Sequence, residues 1–197
     1  MTPARFRIAA IAAACAIAAA MPAAATNQPL VLSPNFSETP GDVLSPVAKG
    51  TATCAVAFTA LSDDRRDPST VGVVGNRAVQ SPQDRQAWMR SILGGLTARG
   101  VTPGFDADAP AAAPTAKASL QMVWLSGVAV DFSANVIVAV DATGTDGHTL
   151  QKTYRGHVAR LNWASGSDEM QVAINKAFSD VLNRMAPDLQ ALCKPAA

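Results

Sequence analysis

The sequence predicts a two-layer α/β domain, a four-stranded mixed sheet with two helices on one face, in the order strand, helix, strand, strand, strand, helix. Three observations carry that expectation: period-two alternation in several Val-rich segments, helical spacing of apolar residues in two others, and turn-forming clusters between them. A chain of 197 residues suits one domain rather than two.

Residues 1–25 are set apart from the fold. Arg5 and Arg7 precede the apolar run Ile8 to Met21, and Ala23-Ala24-Ala25 supplies the small residues that a signal peptidase requires. Cleavage is expected between Ala25 and Thr26, with export to the periplasm. A rival reading makes Cys15 a lipidated N-terminus after Ala13-Ala14, which would anchor the protein to the periplasmic face of the outer membrane. Residues 26–50, with Pro29, Pro34, Pro40 and Pro46, read as an extended arm in which only Leu30-Val31-Leu32 suits a short edge strand. Residues 51–193 form the expected domain.

Thr53 to Leu61 alternates and ends at Ser62-Asp63-Asp64, giving the first strand, with Cys54, Val56, Phe58 and Ala60 sharing its inner face. Residues 65–80 lack a clean period and read as a long loop with a short strand at Val71 to Val74. Ser81-Pro82-Gln83-Asp84 opens the first helix with a hydroxyl cap, a proline at the first helical position and an acid at the positive dipole end. Trp88, Met89, Ile92, Leu93 and Leu96 follow at helical spacing, and Gly100 is the expected left-handed stop. An Ala- and Pro-rich link, Thr102 to Thr115, leads to the second strand, Ala118 to Asp131, with Leu120, Met122 and Trp124 opposite Ser119 and Gln121. Asn135 to Thr143 and Thr149 to Trp163 form the third and fourth strands around an Asp146-Gly147 turn. Met170, Ile174, Ala177, Val181, Leu182 and Met185 place the last helix, which ends near Met185 or continues past Pro187.

Charge excludes one class of partner. Lys plus Arg is 16 against Asp plus Glu 15, and loss of Arg5 and Arg7 would shift the net charge from +1 to about −1, so no field exists to hold nucleic acid. No apolar run of about 20 residues lies beyond residue 25, so no transmembrane helix is expected after signal removal. Without Cys15, Cys54 and Cys193 remain as a pair in an oxidising compartment; the alternatives are two buried thiols or, less suited to their spacing, metal ligands.

The residues that do chemistry are sparse. His148 and His157 lie on one extended segment, roughly 30 Å apart at about 3.3 Å per residue, too far to share a metal. No G-x-S-x-G elbow, Cys-His pair or Gly-rich phosphate cradle occurs. Asp63, Asp64 and Asp67 would suit a hard cation, but Arg65 and Arg66 between them repel one and favour ion pairing and turn capping. No catalytic residue, cofactor or metal is therefore expected, and the chain reads as a non-enzymatic protein. The charged segment containing Asp63, Asp64, Arg65, Arg66, Asp67 and Arg77 is the candidate contact with an envelope protein. The alternative is a carrier or transporter accessory holding a lipid or other apolar ligand, its cavity lined by Trp88, Met122, Trp124 and Trp163, although core packing explains these residues more simply.

Three stretches together resemble the YajG-type envelope lipoproteins of Gram-negative bacteria. They are Pro29-Leu30-Val31-Leu32-Ser33-Pro34, then Asp64-Arg65-Arg66-Asp67-Pro68 followed by Val71-Gly72, and Leu96-Thr97-Ala98-Arg99-Gly100. The likeness runs from about residue 29 to 188. It implies an envelope location and this fold, and implies no reaction; the chain departs from the family in lacking the standard lipobox.

Overall fold

The computed structural model describes residues 29–46, 54–105, 112–128, 131–161 and 166–193, so the expected leader, Cys15, the Ala25 cleavage point and Trp163 lie outside the described residues. The elements are β1 (Leu30–Val31), β2 (Cys54–Asp63), β3 (Thr70–Val74), β4 (Arg77–Gln80), α1 (Arg85–Gly94), β5 (Val101–Phe105), β6 (Thr115–Val128), β7 (Asp131–Thr143), β8 (Thr149–Leu161) and α2 (Ser167–Ala191). Short 3-10 turns occupy Pro40–Asp42 and Gly95–Arg99.

The class is mixed α and β as expected, but the sheet has 8 strands among the described residues instead of four. The four expected strands are β2, β6, β7 and β8. The other four are two to five residues long, too short to show a period. β5 contains Pro103 and Gly104 and accordingly sits at an edge, paired only with β2. The first helix therefore leads into β5, parallel to β2, rather than directly into the second expected strand.

β6 is the hub. β2 and β3 both run parallel to the same edge of it, β2 along Thr115 to Leu120 and β3 along Leu125 to Gly127. β7 and then β8 extend the opposite edge as an antiparallel meander. β3 comes so close to β6 that a side-chain carbon on Gly72 would overlap the Leu125 carbonyl, and its φ of 142° also favours glycine.

Two bulges redirect side chains. Along β6 the pairing passes from Leu120 opposite Val138 to Met122 opposite Ile137, leaving Gln121 without a partner. A one-residue slip reverses every later side chain. Val123 and Leu125 therefore enter the core, while Met122 and Trp124 turn outward, 37% and 44% exposed. The expectation that Leu120, Met122 and Trp124 share a face holds only for its first member. In β2 a shift between Phe58 and Ala60 does the same, exposing Ala60 and putting Leu61 against the core, while Cys54, Val56 and Phe58 stay inward.

Both helices cover one face of the sheet. α1 starts later than its sequence suggests: Asp84 caps it by accepting the Ala87 N–H at 2.8 Å, and Ser81 is buried elsewhere. Gly100, with φ of 81°, closes the following turn in the left-handed conformation as expected. α2 continues through the exposed Pro187 to Ala191. It lies directly on β8 where Gly156 meets the Ala177 backbone, a contact that any larger residue at 156 would push apart. Trp88 and Phe178 meet edge to face at 5.4 Å between the helices and the sheet.

The arm is docked on the helices. Its anchor is Arg99, 2% exposed, which donates to both carboxylate oxygens of Glu38 at 2.6 and 3.0 Å, to the Gly95 carbonyl at 2.7 Å, to Ser179 Oγ at 2.8 Å and to Asn183 Oδ1 at 2.7 Å. Asp42 takes a salt bridge from Lys176 at 2.8 Å, and its carbonyl accepts from Ser179 and Asn183, each at 2.9 Å. Burial works to raise the Asp42 pKa, but the Lys176 and Thr39 hydrogen bonds outweigh it and the pKa is lowered.

A disulfide joins Cys54 to Cys193, with Cα atoms 5.8 Å apart across a sequence separation of 139. Replacing both cysteines with serine is expected to lower stability by about 2–5 kcal/mol in urea unfolding; an unchanged midpoint would mean that the bridge constrains nothing. Arg99→Ala is expected to cost about 3–5 kcal/mol, because it leaves Glu38 and two α2 side chains without their partner. Proteolysis of the variant should cut first within residues 33–44 if the arm depends on this ion pair.

Candidate docking groove at the Gln121 bulge

The charged loop between β2 and β3 divides into a structural half and a presented half. Arg65, expected at the surface, is buried, with its side chain 4% exposed. It donates to both carboxylate oxygens of Asp63 at 2.7 Å each, to the Thr70 and Pro68 carbonyls at 3.0 and 2.9 Å, and to Ser81 Oγ at 3.0 Å. Its guanidinium also lies 5.8 Å from the centre of the Trp88 ring. The loop thus wraps around Arg65, and the Ser81 hydroxyl that seemed placed to cap α1 serves this network instead.

Asp67 secures the next turn. Its carboxylate accepts from the Ser69 hydroxyl and N–H at 2.5 and 2.9 Å and from the Thr70 hydroxyl at 2.7 Å. The Ser69 hydroxyl, then that of Thr70, holds its pKa down to about 2. Asp64 donates its N–H to the Leu120 carbonyl at 3.0 Å, beside the bulge, and its carboxylate accepts from Gln121 Nε2 at 3.4 Å. Arg66 is exposed and has no hydrogen bond or ion pair with the described residues. Arg77 lies in β4, half-buried and opposite Val74, outside the groove that Arg65, Arg66 and Asp67 border. Of the six charged residues, then, Asp63 and Arg65 hold the loop, Asp67 and Asp64 fix its turn and base, and Arg66 faces solvent.

Between this loop and the outer face of β6 lies a groove of about 390 Å³, bordered by Arg66, Asp67, Thr70, Gln121, Met122 and Trp124. Met122 pairs across strands with Ile137, and Trp124 with Asn135. Asn135 in turn meets His157, Oδ1 to Nδ1 at 2.9 Å. The result is an apolar centre with a polar rim, the pattern of protein interfaces, where Trp and Arg contribute most. The alternation of β6 hid this groove, because nothing in the sequence marks Gln121 as the extra residue.

The same geometry removes the proposed ligand cavity. Trp88 is fully buried on the helix side, while Met122 and Trp124 are exposed on the opposite face, so they line no common space. Among the described residues, no three His, Cys, Asp or Glu side chains group as a cation site, and no helix is long and apolar enough to cross a membrane.

No protein-family model matches the sequence, and no curated protein matches it. Solved structures similar to this chain include a Xanthomonas campestris protein of family DUF330, at 10% identity and TM-score 0.49, covering 84% of this chain and 95% of that one. A minor lipoprotein from Acinetobacter baumannii is similar at 13% identity and TM-score 0.34, covering 68% and 94%. The rare lipoprotein B from Shewanella oneidensis is similar at 11% identity and TM-score 0.31, covering 66% and 90%. Three bacterial proteins, two of them lipoproteins, thus stand near this chain, all with TM-scores below 0.5.

Proposed function

We propose that this chain is a non-enzymatic binding module of the bacterial cell envelope that docks a partner protein in the groove at the Gln121 bulge. One observation carries the reading: the bulge exposes Met122 and Trp124 beside Arg66, which has no ion pair among the described residues, although the same apolar residues would pack inside an unbulged strand. Turning a Trp and a Met into water is unfavourable for the isolated chain, at about 25 cal/mol per Å² of apolar surface, and a partner that covers them recovers that loss. Arg66 adds a planar donor fork that matches a carboxylate on the partner. The charged leader pattern, the resemblance to YajG-type lipoproteins and the Cys54–Cys193 bridge support an envelope location, in the periplasm or, if Cys15 is lipidated, on the periplasmic side of the outer membrane.

The burial of Arg65 dictates the test. A variant that removes it would unfold the loop and report nothing about binding, whereas Arg66 and Trp124 are free of such duties. The double variant Arg66→Glu, Trp124→Ala should keep its thermal midpoint within about 4 °C of the parent, as surface changes do. It should also lose the protein that co-purifies with the parent from the native envelope after cross-linking. Arg65→Ala should instead lower the midpoint clearly, since it strands Asp63 and three other acceptors. Recovery of the same partner by the double variant would end this reading.

A further inference from the structure

The sheet has three edges among the described residues, and two of them are poor templates for further pairing. β1 is two residues long, and β5 contains Pro103. β8 differs: its 13 residues pair with β7 one for one from Thr149 to Leu161, without a bulge.

The direction of its free backbone groups follows from two bonds. Gly144 donates to the His148 carbonyl at 2.7 Å where the hairpin closes, so even-numbered residues exchange hydrogen bonds with β7 and odd-numbered ones point away. His157 agrees, since its N–H turns from β7 to Asp180 of α2 at 3.3 Å. Asp180 thereby covers the edge at 157. Thr149, Gln151, Thr153 and Arg155 direct their N–H and C=O groups outward.

A hollow of about 350 Å³, lined by Lys152, Thr153, Tyr154, Arg155 and Arg184, flanks this stretch. Lys152 is matched by Asp188 at 2.6 Å and Arg184 by Asp180 at 3.0 Å. Arg155 is exposed and has no ion pair with the described residues, so the edge carries an unmatched positive charge.

We propose that the edge from Thr149 to Arg155 accepts an extended segment of a partner protein that carries carboxylates at alternate positions, adding one strand to the sheet. Main-chain bonds supply affinity, and Arg155, on the outer face with Thr153, selects the acidic side chains. A second copy of β8 offers Arg155 no carboxylate, because residues 149–161 contain no Asp or Glu. The site lies two strands from Trp124, with Ile137 of β7 between Arg155 and Met122.

The test uses the full chain and an acetylated peptide of alternating Thr and Glu, with alternating Thr and Lys as control. The Thr-Glu peptide should slow amide exchange at Gln151, Thr153 and Arg155 while the control does not. Thr153→Pro removes an N–H that β7 does not use and should weaken binding about tenfold, the loss of one to two hydrogen bonds. Arg155→Glu, which leaves the backbone intact, should reverse the preference toward the Thr-Lys peptide. No protection of the edge, or equal binding by the parent and both variants, overturns the proposal. A concentration-dependent dimer that Thr153→Pro abolishes, without peptide binding, overturns it too, since the occupant would then be a second copy.

Discussion

The buried guanidinium of Arg99 is the point on which the separate parts of this fold converge. A cation with 2% exposure is tolerable only if its donors are matched, and here the acceptors come from three segments distant in sequence. Glu38 belongs to the arm, Gly95 to the turn that ends in Arg99 itself, and Ser179 and Asn183 to α2. Gln190 completes the arrangement by donating to the Arg99 carbonyl at 2.6 Å, one residue before the left-handed Gly100 sends the chain into β5. Arm, α1 exit, α2 and β5 can therefore not shift independently. The arm is part of the folded body, although its composition suggests a tether.

Arg65 repeats the principle at the opposite end of β2. Each arginine takes a bidentate carboxylate and fills its remaining donors with carbonyls and hydroxyls, so that a segment without regular structure acquires a fixed path. The consequence differs with location. Around Arg99 the path closes over the helices, whereas around Arg65 it leaves the sheet between β2 and β3, and Arg66 is displayed beside exposed apolar side chains. Rigidity in one residue of the loop is what gives the next a defined direction.

The long elements were legible because each repeats its period over many residues. The stripe Trp88, Met89, Ile92, Leu93 and Leu96 and that of α2 reappear as buried faces, and the pairing of the last three strands follows the alternation in Val136, Val138 and Val140. Legibility failed where one residue carries the information. Thr59 and Gln121 each fit the polar–apolar alternation of their strand, yet each shifts a register, and with it the inner face of β2 and the outward turn of Trp124. Short strands failed for a related reason, since β3 and β5 owe their pairing to β6 and β2, and β4 to β3, rather than to their own composition. Of the long loop expected over residues 65–80, most is β3 and β4, and in the charged turn that remains composition could not distinguish the arginine that holds it from the one it shows.

The bridge between Cys54 and Cys193 also bears on when the molecule becomes a folded body. β2 pairs with β6 across some sixty residues, and among the described residues the core over β7 and β8 is closed by α2, the last described element. Met170, Ile174, Phe178 and Leu182 supply that lid, and Ser179 and Asn183 supply partners to Arg99. An N-terminal fragment emerging before them has an open apolar sheet, an arginine without its α2 acceptors and Cys54 without Cys193. Folding is therefore a late, whole-chain event with high contact order, in which the oxidation of Cys54 waits for the final turn of the last helix. The covalent bond, once formed, records that α2 has arrived in place.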